Sequence, residues 1–287
     1  EGLTMLYETA TDWNDAAHKR VMLFGMSGLG KTFVSKILRS FNWFHYSVDY
    51  RIGTRYLAEH ILDNLKLEAM KNPFLAELLR NDGIYIGSNI TFENLTPLSS
   101  YLGKPGNPQK GGIAFLEYTQ RQALHQRAEV NAMLDTVQFI DRAKTIYGYE
   151  NFICDTSGSM VEIISADSSV DPVMIELSKH VLPVWIEGSE AHVEELIKRF
   201  VKSPKPMYYQ PALLKKLWID YLTKNALTEP EVNPDEFAQW GYRMLLDHRL
   251  PRYRKIAERW GITVKADDIS KVQYHNDFNA LISQNLA

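Results

Sequence analysis

Between positions 25 and 32 the chain reads Gly-Met-Ser-Gly-Leu-Gly-Lys-Thr, which packs three glycines, an ammonium and a hydroxyl into one short stretch. Glycines let the backbone curl until successive N–H groups point at a single centre, and a Cβ there would block an approaching anion. Lys31 adds a point charge, and Thr32 offers an oxygen suited to a hard divalent cation. Convergent N–H donors, an ammonium and a cation-binding hydroxyl together suit a polyphosphate carrying Mg²⁺. The spacing Gly-x-x-x-x-Gly-Lys-Thr is that of the phosphate-binding P-loop. Gly25, Ser27, Gly28, Leu29, Gly30, Lys31, Thr32 and Phe33 are therefore the residues expected around a bound nucleoside triphosphate, taken here as ATP.

Such a loop works only when a strand and a helix hold its two ends. Val21-Met22-Leu23-Phe24 is an apolar run too short for a helix and suited to a buried parallel strand. Phe33, Val34, Ile37 and Leu38 then recur at helical spacing, which predicts an amphipathic helix with its positive end toward the phosphates. Two acids are expected beside the loop. Asp49 follows an aromatic strand over 41–53, where it can orient an acceptor hydroxyl or help hold Mg²⁺. Arg51 and Arg55 lie just beyond it, available to an anionic acceptor, with a helix expected from Thr54. Asp155 ends a second apolar strand, Phe152-Ile153-Cys154-Asp155, in the position that grips Mg²⁺ next to a P-loop. Ser157 and Gly158 follow in a turn able to bring backbone N–H groups to a substrate.

The rest of the chain supplies context. Its 287 residues, 45% hydrophobic and 23% charged, are ordinary for a globular chain with a substantial core. A net charge of −3 argues against nucleic acid or an anionic membrane as the main partner. A single cysteine and scattered histidines leave no disulfide framework or zinc cluster, which fits a reducing compartment. No apolar run reaches the length of a membrane span, and residues 1–20 are too polar for a secretory leader, so a cytoplasmic location is expected.

Residues 1–19 read as a polar N-terminal appendage. The stretch 66–148 reads as an insertion, the acceptor or lid subdomain, with turn signals at Asn81-Asp82-Gly83 and a glycine-rich loop over 103–112. A long helix is expected from Leu116 to Ile146. Residues 20–65 and 149–287 form the core. Further strands are expected at 181–188 and 262–264, with an amphipathic helix over 189–201. Arg199, near that helix's end, and Arg249, opening a basic helix, are candidates to neutralise charge on a transferred phosphoryl group.

Several of these pieces together resemble the small P-loop kinases of the shikimate kinase and gluconate kinase type, close to adenylate kinases. The loop from Gly25 to Thr32 looks like their Gly-x-x-Gly-x-Gly-Lys-Ser/Thr. Ser47-Val48-Asp49-Tyr50-Arg51-Ile52 is similar to the shikimate kinase Asp-x-Asp-x-x-Ile segment, with Ser47 in place of the first acid. The run through Arg249, Pro251, Tyr253 and Ala257 looks like the closing Arg-x-Pro-x-Tyr-x-x-x-Ala helix. The resemblance implies an α/β, three-layer fold with a parallel sheet, helices on both faces and a largely helical inserted subdomain. It also implies transfer of the ATP γ-phosphate, with Mg²⁺, to a small hydroxylated acceptor, and an acceptor or phosphate contact for Arg249. The triple glycine of shikimate kinases is replaced by Asp155-Thr156-Ser157-Gly158, which argues against shikimate as that acceptor. The alternative is a regulatory P-loop ATPase acting on a protein or RNA partner, with the insertion as its surface.

Overall fold

The computed structural model describes residues 5–286. The fold is α/β. A five-stranded sheet has the order β2-β3-β1-β4-β5, formed by Arg20–Phe24 (β1), Trp43–Ser47 (β2), Asn151–Asp155 (β3), Leu182–Glu187 (β4) and Ile262–Lys265 (β5). Every pairing is parallel. Parallel strands are covered on both faces and therefore carry unbroken apolar runs rather than alternation. Val21, Met22, Leu23 and Phe24 of β1 are all fully buried, as are Ile153 and Cys154 of β3 and Leu182, Val184 and Ile186 of β4.

The chain divides into two compact units, one made of residues up to 48, 130–204 and 239 onward, the other of 49–129 and 205–238. The first contains the whole sheet. Its N-terminal segment is tied into the core: Thr9 caps the helix Ala10–Asp15, and Trp13 is fully buried. The Trp13 indole donates to Asn279 O at 3.1 Å, and Trp13, Trp43 and Phe278 pack ring on ring. A polar composition over 1–19 concealed that anchor, because one large aromatic side chain decides where the segment lies.

The second unit is helical. It holds the helices Ala58–Met70, Pro73–Arg80, Thr96–Leu102 and Pro211–Asn225, with the first half of the long helix Phe115–Thr145. Arg121 ties three of these together: its guanidinium donates to Asn64 Oδ1 at 2.8 Å and lies 4.8 Å from the Tyr101 ring. Gln122 is buried and saturated by backbone, donating to Met207 O at 3.0 Å and accepting from Tyr209 N at 2.9 Å. Phe115 stacks on Trp218 at 4.5 Å, and Trp218 meets Phe237 edge-on. Immediately after the short helix Val48–Arg51, residues Ile52–Tyr56 form a π-helical turn closed by Leu57 N to Ile52 O at 2.8 Å. The α-helix begins only at Ala58, four residues after the start expected at Thr54. Among the described residues, no helix is long and apolar enough to cross a membrane.

Candidate functional site at the carboxyl end of the central strand

β1 sits in the middle of the sheet with β3 on one side and β4 on the other, so the strand order reverses direction about it. In open α/β sheets that switch point, beyond the carboxyl ends of the strands, is where ligands bind. The registers bring the functional ends level: Leu23 pairs with Asp155, and Phe24 with Trp185. Residues 25–30 leave β1 there and enter the helix Lys31–Arg39.

The loop's shape is dictated by its glycines. Gly25, Gly28 and Gly30 have φ of 136°, 90° and 104°, a region closed to most side chains. A Cβ on Gly25 would also lie 2.8 Å from Ile186 O of β4. Lys31 is buried, and its Nζ donates to Gly25 O at 2.9 Å and Met26 O at 3.0 Å, so the ammonium lies across the loop's own backbone. Leu29 is buried, Ser27 and Gly28 are exposed, and Phe33 is half-exposed beside them.

Thr32 and Asp155, 123 positions apart, meet at this end of the sheet. Thr32 Oγ1 donates to Asp155 Oδ2 at 2.8 Å. A hydroxyl whose proton is held by a carboxylate presents its lone pairs elsewhere, and hydroxyl plus carboxylate is an oxygen donor set matched to Mg²⁺. Among the described residues no three His, Cys, Asp or Glu side chains are grouped to hold a metal ion. His45 of β2 is also buried here, its Nε2 3.4 Å from the same Oδ2.

The turn after β3 is fastened to the loop. Thr156 Oγ1 donates to Leu23 O at 2.8 Å, and the Ser157 and Ser159 hydroxyls are 3.0 Å apart. Gly158 lies so close to Ser27 that a Cβ would clash with the serine hydroxyl. Two side chains of the helix Pro234–Trp260 hold its carbonyl: Tyr253 Oη donates to Gly158 O at 2.6 Å and Arg249 Nη1 at 3.0 Å. Arg249 is buried, and its Nε donates to Glu162 Oε1 at 2.9 Å. Burial alone would raise the Glu162 carboxyl, but the His248 imidazole 3.3 Å from Oε2 and the charge and hydrogen bond of Arg249 outweigh it and hold the group below its usual value.

The structure thus gathers Gly25, Ser27, Gly28, Leu29, Gly30, Lys31, Thr32, Phe33, Asp155, Ser157 and Gly158 at one end of the sheet. It places Arg249 against an internal carboxylate and a backbone carbonyl. Arg199 is mostly exposed on the helix Glu190–Lys202, with its Nε 3.1 Å from Glu195 Oε1 one turn away. Asp49, Arg51 and Arg55 belong to the second unit. Asp49 lies in the helix Val48–Arg51, the Arg51 guanidinium is 5.7 Å from the Tyr56 ring, and Arg55 is on the π-helical turn. Departures from α-helical pitch are frequent at functional sites.

His45 and Glu162 escaped the sequence reading. His45 carried one signal, an imidazole inside an otherwise aromatic strand; Glu162 carried none.

Beside the loop, on the β4–β5 side, lies a cavity of about 770 Å³. Trp185, Val193 and Leu250 supply apolar wall, while Glu190, Glu194 and Asp267 line it with carboxylates. Gly188, also in the wall, faces the loop, where an added Cβ would lie 3.1 Å from the Leu29 side chain. No protein-family profile matches the chain, and no curated protein matches it significantly.

Proposed function

We propose that this chain is a P-loop phosphotransferase that moves the γ-phosphate of ATP to a small hydroxylated acceptor. In this reading the α/β core is a three-layer P-loop fold of the shikimate and gluconate kinase type. The observation that carries it is the 2.8 Å hydrogen bond from Thr32 to Asp155 at the mouth of a glycine-rich loop on the central strand. It joins the P-loop hydroxyl to the strand-end acid expected beside it for the same cation.

The loop amides and Lys31 bind the β- and γ-phosphates, with Lys31 exchanging its loop carbonyls for phosphate oxygens. Thr32 and Asp155 would hold Mg²⁺, whose charge would offset that of the phosphates. The cavity bordered by Gly188, Trp185 and Leu250 is large enough for the nucleoside, whose base would lie on the apolar wall. Asp49 would orient the acceptor hydroxyl and accept its proton as that oxygen bonds to the γ-phosphorus and the bond from phosphorus to the bridging oxygen breaks, releasing ADP. Arg51 and Arg55 pair with anionic groups of the acceptor. The test is ADP release from ATP and Mg²⁺ with pools of small metabolites. Dependence on one pool, lost in Asp49→Asn, is the expected result; turnover indifferent to every pool overturns the kinase reading.

One observation favours a second reading, a regulatory ATPase. Arg249 is neutralised by the buried Glu162, and Arg199 stands exposed beside Glu195, so both arginines offered for developing charge already have carboxylate partners. Slow, acceptor-independent hydrolysis together with altered protein association on adding ATP is what that reading predicts.

A further inference from the structure

We propose that His45 is a positioning residue for the Mg²⁺-binding edge of the site, acting through Asp155. The inference rests on the P-loop reading above and adds to it a residue from the second strand. The imidazole and the carboxylate are both withdrawn from water, at 1% and 7% side-chain exposure, with Nε2 3.4 Å from Oδ2. The strand register explains the meeting. Ser47 is level with Asp155 on the neighbouring strand, and His45, two residues earlier, shares a sheet face with Ser47.

Two donors converge on one oxygen. Thr32 Oγ1–H and His45 Nε2–H both reach Oδ2, and that convergence fixes the carboxylate's rotation about its Cβ–Cγ bond. It turns Oδ1 away from both donors, as the oxygen available to the cation or to its water. It also keeps the Thr32 O–H pointed at Asp155, so the threonine lone pairs stay directed at the cation. Groups that orient a ligand from behind in this way set metal affinity. The strand neighbours of His45, Trp43, Phe44 and Tyr46, are aromatic, and the contact with Asp155 gives the buried imidazole a polar partner.

The experiment is an electron paramagnetic resonance titration of Mn²⁺ into the protein saturated with ATP, beside calorimetric binding of metal-free ATP. His45→Phe keeps a ring and removes the donor; Mn²⁺ affinity should fall by about tenfold to a hundredfold, with metal-free ATP binding within about twofold of the parent. His45→Gln, whose amide nitrogen falls near Nε2, should recover most of the loss. His45→Asn, whose nitrogen falls near Nδ1, should not, and it serves in place of the phenylalanine variant if that one fails to fold. Unchanged Mn²⁺ affinity in His45→Phe or His45→Asn overturns the inference. So does an equal loss of metal-free ATP binding that glutamine does not recover, which marks a purely structural histidine. A parent protein that binds neither ATP nor Mn²⁺ with ATP overturns the P-loop reading itself, and this inference with it, before any variant is made.

Discussion

Replacing Glu162 by glutamine preserves the shape of the side chain and removes one charge from the interior. The Glu162 side chain has no exposure, and that of its partner Arg249 is 5% exposed. Glutamine can still accept from Arg249 Nε, but the buried guanidinium loses the charge of the carboxylate against it, and an amide now faces His248, whose Nε2 is 3.3 Å from Oε2. Removing one partner of a buried pair typically destabilises by about 3–5 kcal/mol, because the remaining charge stays desolvated. With an m-value of about 3 kcal/mol/M, the urea midpoint should drop by roughly 1–1.7 M. Glu162→Gln combined with Arg249→Met removes both charges and should regain most of the loss. The effect also has a defined pH dependence. The folded carboxyl lies below its ordinary value of 4.5, so its contribution is fully present above that value and disappears as pH falls through the folded pKa. The gap between parent and Glu162→Gln should therefore close in acid. A midpoint shift below about 0.3 M at neutral pH, under 1 kcal/mol at that m-value, would refute the assignment of Glu162 and Arg249 as a buried mutual pair. So would a double variant no more stable than the single one.

Two further outcomes follow from the same geometry. Gly25→Ala places a Cβ at φ 136° and 2.8 Å from Ile186 O, and should cost about 1–3 kcal/mol in thermal unfolding; an unchanged midpoint would show that the loop does not need this backbone conformation. Cys154 is fully buried, and burial pushes its thiol up to about 12, so the native protein should resist an aromatic disulfide reagent at pH 8 and release one thiol per chain when unfolded. Rapid native labelling would contradict its place in β3.

What was legible in the sequence was local. The runs 21–24 and 152–155 contain their own period and length, and they lie in β1 and β3. The helix expected over 116–146 is Phe115–Thr145, since thirty residues of apolar spacing specify little else. The strand expected over 41–53 is shorter, Trp43–Ser47, because its aromatic richness continued into residues that coil instead. The π-helical turn at Ile52–Tyr56 was invisible: its extra residue per turn is set by packing, not by periodicity. Pairings distant along the chain were equally hidden. Nothing near Arg249 announces that Glu162 meets its guanidinium, so a basic residue in a basic helix read as open to a ligand. The meeting of Thr32 with Asp155 could be anticipated only because one closes a recognisable loop motif and the other ends a recognisable strand.

The central claim is that the loop at the end of β1 binds Mg²⁺ and ATP through Lys31, Thr32 and Asp155. Calorimetric titration of ATP into the purified protein, with and without Mg²⁺, tests it most directly. The account predicts one site per chain, tighter with Mg²⁺ than without, lost in Lys31→Ala. In Asp155→Asn the advantage given by Mg²⁺ should disappear while metal-free binding survives. Absence of binding by the parent protein, or equal affinity in parent and Lys31→Ala, would contradict it.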